Sequence, residues 1–563
     1  MQSRPDGGVL RRNLEALAAR DAALAARIAT TAPSPEVSFV ESKTGRPVPR
    51  IRTAGGPIAL HSVYDPEKEG RRLAETVAGS GFLVCLGIGG AYQAVAALAD
   101  SRLSGLLLVD RDPPLLRSIL ERLDMRPLIE DPRTAFLLDE PPSSVAQRLL
   151  SLWIPGLCGS LRTLPLRPRA DRDGSYFQAV GDAIRMAVEG AASDYSIQSR
   201  FGRRWFSNIA WNLLSAPSAL RLPELGREAC VVGAGPSLES QIPSLRRRGP
   251  SVSLVAVDTA FPALAAAGLE PDLVVSIDCQ HFSTYHFVKG PPVSSMLVLD
   301  LSSPPMLSRL TKRRGFFSGG HPFSRFAARR GFPFPEVDTS GGNVAHAAVS
   351  LSVALGAKEI RLFGVDFSYP EGKSYARGTY LYDYFLVRSG RLSPVSEGFA
   401  GLVFGRIGLL RDTEDGFPRY TTPQLAGYKD RFETASRGLS AVLLQEPGRG
   451  MRLSLPAVAT DRVLPPEGSR NAAAPLDPRR FLLSYLDQLR SLPMPRVAGV
   501  PGFAAFSPEV RDVWTTILPL LAWERARRPM ETDPHLLLSA ARSDADGIVS
   551  CVLGIDNGRV THE

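Results

Sequence analysis

Residues 227–245, with the sequence REACVVGAGPSLESQIPSL, combine an apolar strand, a glycine turn and the start of a helix. Gly233 and Gly235 let the backbone turn sharply and come close to a ligand. Pro236 suits the first turn of a helix, where its missing N–H costs nothing, and Ser237 adds a hydroxyl. The N-terminus of the helix presents unpaired amides to a phosphate. The segment therefore predicts a nucleotide-binding turn, although it matches neither a Walker A loop nor the pattern GxGxxG.

Strands that end at acidic residues follow this segment. The acids are Asp258, Asp278, Asp300 and Asp366, and helical or loop segments separate the strands. Such alternation predicts a parallel sheet with right-handed crossovers. Since ligands of these sheets bind beyond the carboxyl ends of the strands, we expect a functional cleft at this rim, with Asp258 in contact with the nucleotide. Each acid taken singly is also explained as a cap or turn residue.

A second glycine turn, SGGN at 340–343, opens an amphipathic helix. Gly341, Gly342 and Asn343 are predicted to contact the nucleotide, and Asn343 is equally explained as the cap of the helix. His346 lies on the same helix, and we expect it to be a structural residue.

The segment 366–384 is polar and rich in tyrosine. Tyr369, Tyr375, Lys373 and Arg377 offer phenol and cationic donors of the kind that stabilise a departing phosphate. A packed surface loop is the alternative interpretation.

Two histidines follow the strand that ends at Asp278. His281 and His286 can each serve as a general base near neutral pH, or each can be structural.

Residues 81–120 contain two further strand-and-helix units. The turn between the first strand and helix holds Gly87, Gly89 and Gly90, and Asp110 ends the second strand, as in nucleotide-binding βαβ units. Because the full GxGxxG pattern is absent, a Rossmann-like unit that packs without a ligand is the alternative.

The chain divides into three predicted regions. Residues 1–195 form an N-terminal domain and residues 196–455 a central domain, while residues 456–563 begin with a Pro-, Gly- and Arg-rich linker. Apolar residues at three- and four-residue spacing then predict helices over 479–492 and 508–528.

Composition excludes several classes of protein. Apolar residues make up 44% of the 563, and five cysteines form no CxxC pair, so a disordered chain or a disulfide scaffold is not expected. The net charge of +9 comes from dispersed arginines, since only 7 of the 66 basic residues are lysine, and we predict no nucleic-acid partner. No run of 18 apolar residues predicts a membrane span, and the first 30 residues lack a signal-peptide pattern, which predicts a cytoplasmic protein.

The order of these motifs resembles a known family. VVGAGPSLES, VSLVAVDTAFPALAAAGLEPDLVVSID and DTSGGNVAHAAVSLSVALGAKEIRLFGVDFSY resemble the central domain of motility accessory factor proteins. Those proteins are flagellin glycosyltransferases that use CMP-activated nonulosonic acids, which are sialic-acid-like sugars. LHSVYDPEKEGRRL at 60–73 resembles their N-terminal domain and YTTPQLAGYKDRFE at 420–433 the end of their central domain, so the resemblance covers residues 60–455.

The resemblance implies an α/β protein with an N-terminal Rossmann-like domain, a central parallel-sheet Rossmann-like transferase domain and a C-terminal helical region. It implies a glycosyltransferase that moves a nonulosonic acid from a CMP donor to a protein hydroxyl, with flagellin as the acceptor. The GxGPSL turn is also similar to the CMP-sugar site of bacterial sialyltransferases, so Gly233, Gly235, Pro236 and Ser237 would face the donor nucleotide.

The catalytic roles follow from this implied reaction. Asp278 or His281 would deprotonate the acceptor, and Asp366 would orient sugar hydroxyls or bind Mg²⁺. Mg²⁺ is the single candidate cofactor, and the residues do not identify a metal site.

Two alternatives stay open. The central domain is also similar to archaeal hydroxymethylpterin pyrophosphokinases, which transfer diphosphate from ATP and would use Asp258, Asp278 and Asp366 as metal ligands. The length of the chain favours the glycosyltransferases, because the pterin enzymes are short. A non-catalytic scaffold of the same fold is the third reading.

Overall fold

A computed structural model describes residues 7–332, 334–413, 416–458, 477–494, 506–531 and 533–555. The chain divides into two compact units. The N-terminal unit comprises Met1–Gly202, Leu492–Trp514 and Leu518–Ser543, and the central unit comprises Arg203–Ser491, Thr515–Ile517 and Asp544–Glu563. This division rests on compactness alone, so the three domains proposed from the sequence stay a prediction.

The N-terminal unit contains an antiparallel and a parallel sheet. The antiparallel sheet has β1 (Val37–Glu41), β2 (Pro47–Thr53) and β3 (Gly56–Ala59), with β2 in the middle. The parallel sheet has β4 (Phe82–Leu86), β5 (Gly105–Asp110), β6 (Thr134–Leu138) and β7 (Leu161–Pro165), in the order β6-β5-β4-β7. Every residue of β4 and β5 is buried, which explains their continuous apolar sequences.

Within the described residues, ten helices begin in this part of the chain. They are α1 (Gly7–Ala18), α2 (Ala22–Thr30), α3 (Pro66–Glu75), α4 (Tyr92–Ala97), α5 (Pro113–Arg122), α6 (Arg126–Ile129), α7 (Pro142–Leu152), α8 (Pro155–Cys158), α9 (Arg167–Arg172) and α10 (Gly174–Ser215).

Side chains of the N-terminal unit fill the glycine turn that follows β4. Ile88 N donates to Asp110 Oδ2 at 2.8 Å, and Gly90 N donates to His61 Nε2 at 2.9 Å. Arg169, from the helix after β7, is completely buried and donates to Asp110 Oδ1 at 2.5 Å. Side chains of the unit therefore pack against this turn, and whether it takes a ligand stays open between the two interpretations.

The central unit is built on a seven-stranded, entirely parallel sheet. Its strands are β8 (Glu228–Val232), β9 (Ser253–Val257), β10 (Leu273–Ser276), β11 (Met296–Asp300), β12 (Arg314–Phe317), β13 (Glu359–Phe363) and β17 (Val442–Gln445). A small antiparallel sheet holds β14 (Tyr369–Pro370), β15 (Leu410–Asp412) and β16 (Arg419–Thr421). The helices are α11 (Leu238–Arg246), α12 (Phe261–Ala266), α13 (Pro322–Arg329), α14 (Val344–Ala354), α15 (Tyr380–Arg388), α16 (Val395–Phe404) and α17 (Pro423–Ser436). Short 3₁₀ helices lie at Ala216–Ser218, His281–Phe287 and Leu307–Arg309.

The strand order β12-β11-β10-β9-β8-β13-β17 reverses direction between β8 and β13. The chain builds the sheet outward from β8 to β12, then returns to add β13 and β17 on the other side. Such a switch point is where open parallel sheets bind ligands. The glycine turn after β8 lies at this position, and the predicted parallel-sheet α/β class is confirmed.

Helices follow the central domain, as the sequence predicts. They are α18 (Pro478–Arg490), α19 (Pro508–Thr516), α20 (Leu518–Arg527) and α21 (Pro534–Leu553). In the central unit, α18 buries Phe481 and Tyr485, and the Tyr485 ring stacks on Phe323 with 4.6 Å between ring centroids. No helix within the described ranges has the length and apolarity that a membrane crossing requires.

The buried pair of Arg169 and Asp110 yields a stability prediction. In Arg169→Met the Asp110 carboxylate loses its cationic partner, and we expect the free energy of unfolding to fall by about 3–5 kcal/mol. Urea unfolding followed by far-UV circular dichroism measures this loss. The matched control is Arg172→Met, whose partly exposed pair with Glu36 is worth at most about 1 kcal/mol. Equal losses in the two variants would contradict the role assigned to Arg169.

Candidate functional site

The amides of the glycine turn after β8 already have acceptors inside the chain. Gly233 N donates to Phe363 O at 2.7 Å, and Gly235 N donates to Gly364 O at 2.8 Å. Ser237 N donates to Asp366 Oδ2 at 2.8 Å. The expectation that these amides are unpaired and open to a phosphate is therefore wrong for this conformation.

Close packing accounts for the two glycines of this turn. A Cβ on Gly233 would lie 2.5 Å from the Gly364 carbonyl oxygen, and one on Gly235 would lie 2.5 Å from Asp366 Oδ2. Pro236 and Ser237 are buried.

The loop 446–450 covers the same turn. Arg449 N donates to Ser237 Oγ at 2.9 Å, and Cβ atoms on Gly448 and Gly450 would meet Ser237 and Asp366 at 2.7 and 2.5 Å. An approaching nucleotide would meet this loop and Asp366 before the amides, so a role for Gly233, Gly235, Pro236 and Ser237 in nucleotide binding stays a prediction.

Asp258 organises a buried polar cluster at the end of β9. It is 1% exposed, and its Oδ2 accepts from Ser276 Oγ at 2.6 Å while its Oδ1 accepts from Thr259 N at 2.7 Å. His286 approaches from the 3₁₀ helix, with Nε2 3.4 Å from Thr259 Oγ1 and 4.0 Å from Asp258 Oδ1. Among the described residues, the buried Nδ1 of His286 has no hydrogen-bond partner. We name these four residues the Asp258 cluster.

Two tyrosines of the predicted tyrosine-rich segment lie beside the Asp258 cluster. The Tyr380 ring meets His286 edge-on, with 4.9 Å between ring centroids. Burial raises the pKa of Tyr375 and of Tyr380, and the Asp258 carboxylate adds to both shifts. Both phenols therefore stay protonated at neutral pH and can donate a hydrogen bond to an anion.

The other predicted phosphate contacts of this segment point elsewhere. Lys373 Nζ lies 3.6 Å from Glu239 Oε2, and Arg377 Nε lies 4.0 Å from the same oxygen. Tyr369 is half-buried in β14, where burial raises its pKa and the nearby Arg406 opposes the shift. The charge of Asp258 acts on Tyr375, whereas Lys373 and Arg377 pair with Glu239.

The second glycine turn caps α14. Asn343 Oδ1 accepts from His346 N at 2.9 Å, so Asn343 takes the capping role that the sequence left open. Gly342 has φ of +70°, and Tyr428 and Arg431 lie beside it. Arg431 Nε donates to Gly341 O at 3.4 Å. The turn contributes the N-terminal end of an 11-residue helix to the carboxyl rim of the sheet.

His346 is buried and hydrogen-bonded, and its structural role stays a prediction. Its Nε2 lies 3.2 Å from Asp338 Oδ2, and this hydrogen bond holds the pKa of Asp338 well below its ordinary value.

The predicted general bases follow β10, the neighbour of β9. Asp278 is half-buried and its Oδ1 accepts from Gln280 N at 2.9 Å. His281 is exposed at the first position of the 3₁₀ helix that also carries His286. An exposed histidine at the rim is accessible to a macromolecular acceptor.

Two acids of the rim are buried, and burial makes them harder to ionise than an exposed carboxyl group. Burial raises the pKa of Asp300 to about 6, and it raises the pKa of Asp366 to about 6 as well. Asp300 Oδ1 accepts from Ser302 N at 2.7 Å. Over the described ranges, no three His, Cys, Asp or Glu side chains come together in a way that would hold a metal ion.

Several residues near the rim escaped sequence reasoning. They are Thr259, Ser276, Arg406, Tyr428 and Arg431. Ser276 and Thr259 lie at the ends of predicted strands, so the sequence could have indicated them. Arg406, Tyr428 and Arg431 come from distant segments that carry no motif.

Comparisons with known proteins identify relatives of both the central unit and the whole fold. A family model described as 6-hydroxymethylpterin diphosphokinase MptE-like matches residues 203–372. An uncharacterized protein of Treponema pallidum is 34% identical over 182 residues, which are 32% of this chain and 64% of that protein. A second protein of that organism is 31% identical over 171 residues, which are 30% of this chain and 81% of that protein. The chain thus spans slightly less than two thirds of the first relative.

A solved structure shares the fold of nearly the whole chain. The MAf glycosyltransferase from Magnetospirillum magneticum AMB-1 superposes with a TM-score of 0.57 at 14% identity, over 97% of this chain and 95% of that one. At this identity the match establishes a common fold.

Asp366 yields a prediction for the pH dependence of stability. Its pKa is raised from 3.8 to about 6, so the folded state binds the proton more tightly than the unfolded state. Proton binding by Asp366 therefore stabilises the folded state fully below pH 3.8, and this contribution is lost as the pH rises through 6. In Asp366→Asn we expect the decline in unfolding free energy between pH 4 and 6 to become shallower by up to about 3 kcal/mol.

Urea unfolding across this pH range measures the decline. Asp487→Asn, which changes an exposed carboxylate on α18, serves as the control. A pH profile of Asp366→Asn that coincides with that of the parent protein would contradict the assigned shift.

Proposed function

Because the chain belongs to the family of MptE-like, motility accessory factor-like proteins, we propose that it is a glycosyltransferase that moves a nonulosonic acid from a CMP donor to a hydroxyl of flagellin. The observation that carries this proposal is the Asp258 cluster with the protonated phenols of Tyr375 and Tyr380, on the carboxyl rim of a parallel sheet. The fold shared with a glycosyltransferase along nearly the whole chain supports it.

The proposed reaction is a displacement at the anomeric carbon of the sugar. The bond from this carbon to the phosphate oxygen breaks, and CMP leaves with the electron pair. The acceptor oxygen forms the new bond and loses its proton to a base. Asp278 and His281 are the proposed bases, and the exposure of His281 suits a protein acceptor.

The leaving phosphate gains negative charge as the bond breaks, so donors placed beside it lower the barrier. Tyr375 and Tyr380 are the proposed donors, because the Tyr380 ring contacts His286 of the Asp258 cluster and the charge of Asp258 acts on both phenols. Asp258 is proposed to receive hydrogen bonds from the nucleotide, with Gly341, Gly342 and Asn343 at the adjoining helix N-terminus. Asp366 holds the turn after β8 through Ser237, so we assign it no sugar hydroxyl.

The second candidate is an ATP-dependent hydroxymethylpterin pyrophosphokinase. The name of the family model that matches residues 203–372 favours it. Asp258, Asp278 and Asp366 would then be the residues to hold Mg²⁺, which would neutralise charge on the phosphates. Asp366 Oδ2 already accepts a hydrogen bond from Ser237 N, and among the described residues no three such side chains come together in a way that would hold a metal ion, which makes this candidate the weaker one.

Removing one phenol tests the proposed leaving-group donors. In Tyr375→Phe the ring and its packing remain, and we expect kcat for transfer from a CMP-nonulosonic acid to flagellin to fall by about 10²-fold. Calorimetric affinity for CMP is expected to change by less than about threefold, since the donor acts mainly on developing charge. Tyr384→Phe, on an exposed tyrosine of α15, is the control and keeps full activity. Full activity of Tyr375→Phe would remove this residue from the mechanism.

A product assay separates the candidate functions. With ATP, Mg²⁺ and hydroxymethylpterin we expect no AMP, whereas CMP is released from a CMP-nonulosonic acid when flagellin is present. Chromatography of the nucleotides reports both products. AMP formation would establish the pyrophosphokinase, and failure to bind either nucleotide at millimolar concentration would favour a scaffold.

A further inference from the structure

Helices α15 and α16 of the central unit form a hairpin with an aromatic seam. The rings of Tyr382 and Phe385, on α15, contact Phe399 on α16, with 4.5 and 4.8 Å between ring centroids. Gly398 allows this close approach, because a Cβ at that position would collide with the Phe385 ring. The seam therefore holds the two helices against each other and fixes the direction of the turn that joins them.

The turn between the two helices presents a leucine to solvent. Gly390 N donates to Ser393 O at 2.9 Å, and Ser393 N donates to Gly390 O at 3.2 Å. These two hydrogen bonds close a tight turn with Arg391 and Leu392 at its apex, and Leu392 is 94% exposed. The backbone thus holds an apolar side chain away from the core of the unit.

Two more aliphatic side chains are exposed where α15 ends. Val387 is 85% exposed and Leu386 is 60% exposed. Single exposed apolar residues are common on proteins, whereas a group of them marks a surface that contacts a partner or a membrane. We name Leu386, Val387, Arg388, Arg391 and Leu392 the hairpin tip.

The hairpin tip is basic as well as apolar. Arg388 donates through Nη1 to Tyr384 O at 3.2 Å, and its guanidinium lies 3.7 Å from the centroid of the Tyr384 ring. Across the described parts of the chain, neither Arg388 nor Arg391 forms an ion pair with a carboxylate. Residues 384–396 include no acid, and Asp383, which precedes them, is paired with Lys289 at 2.8 Å. The positive charge of the tip is therefore available to an anionic surface.

This combination of side chains favours a lipid surface over a protein partner. Aliphatic groups reach the acyl boundary of a bilayer, cations meet the lipid phosphates, and tyrosine rings lie at the level of the headgroups. Three aliphatic side chains cover much less than the roughly 800 Å² that each partner buries in a stable protein complex. A bilayer sets no such minimum, because it deforms around a protruding tip.

We propose that the hairpin tip binds the surface of an anionic membrane. Leu392 and Val387 enter the boundary between headgroups and acyl chains, and Arg388 and Arg391 pair with lipid phosphates. The contact is peripheral, and it needs no helix that crosses the bilayer. The proposal stands on the hairpin alone, so it is independent of the transfer reaction proposed for the rim.

Co-sedimentation of the full chain with lipid vesicles tests the proposal. The two probes are vesicles of phosphatidylcholine and vesicles of phosphatidylcholine mixed with phosphatidylglycerol. We expect the parent protein to bind the mixed vesicles more tightly, and added salt to weaken that binding. Leu392→Asp is expected to lower the partition coefficient for the mixed vesicles by about tenfold or more.

Charge variants and a matched control separate the contributions of the tip. Arg391→Glu is expected to remove the preference for mixed vesicles, whereas Arg391→Lys keeps the charge and is expected to keep the preference. Met530→Asp places an acid on a methionine that is also largely exposed and lies after α20, and it is expected to bind as the parent does. Because all these side chains are exposed, we expect each variant to keep the far-UV circular dichroism spectrum of the parent protein.

Three results would overturn the proposal. The first is failure of the parent protein to sediment with the mixed vesicles. The second is an equal partition coefficient for Leu392→Asp and the parent protein, or an equal loss in Met530→Asp. The third is a parent protein that self-associates in light scattering while Leu392→Asp stays monomeric, which would make the tip a contact between two copies of the chain.

Discussion

The junction between β8 and β13 is the constraint on which the rim of the central unit depends. Two glycine backbones cross there so closely that a Cβ on Gly233 would meet the carbonyl of Gly364. The Asp366 carboxylate accepts a hydrogen bond from Ser237 N, which lies 129 residues earlier in the chain. The loop 446–450 packs on this junction, where Arg449 N donates a hydrogen bond to Ser237 Oγ. The segment that follows Asp366 carries Tyr375 and Tyr380, and the charge of Asp258 acts on both phenols.

The two parallel sheets differ in the charged side chain that packs against the glycine turn after their first strand. Each has a glycine turn after its first strand, next to the strand that was added on the opposite side. The N-terminal unit fills this place with a cation, since Arg169 pairs with Asp110. In the central unit an anion takes this place, since the Asp366 carboxylate accepts a hydrogen bond from Ser237 N at the start of α11. In the central unit, a further buried acid, Asp258, follows β9, the strand beside β8.

Local patterns predicted much of the fold. The buried strands, the acids at their ends and the apolar faces of α18 and α20 follow from periodicity within one element, which does not depend on the rest of the chain. The pairing of the amides at 233–237 could not be predicted in this way, because their acceptors come from 363–366. The choice between His281 and His286 also required the structure, since only the geometry of the 3₁₀ helix places His286 against Thr259. The sheet β1-β2-β3 escaped the sequence reasoning, although Gly45 and Gly56, both with positive φ, mark its two turns.

A carboxylate at the start of a helix occupies the position in which such helices bind phosphate. Asp366 is largely ionised at neutral pH, because its raised pKa of about 6 still lies below 7. A donor phosphate placed at the same amide would therefore meet a negative charge in a buried setting, where repulsion is weakly screened. This repulsion counts against the glycine turn as a phosphate site. The neutral phenols of Tyr375 and Tyr380 add no charge of their own, but the buried Asp258 carboxylate acts on both and would repel a phosphate there as well. The close contact between Gly233 and Gly364 shows what the turn does in this structure, which is to hold β8 and β13 together.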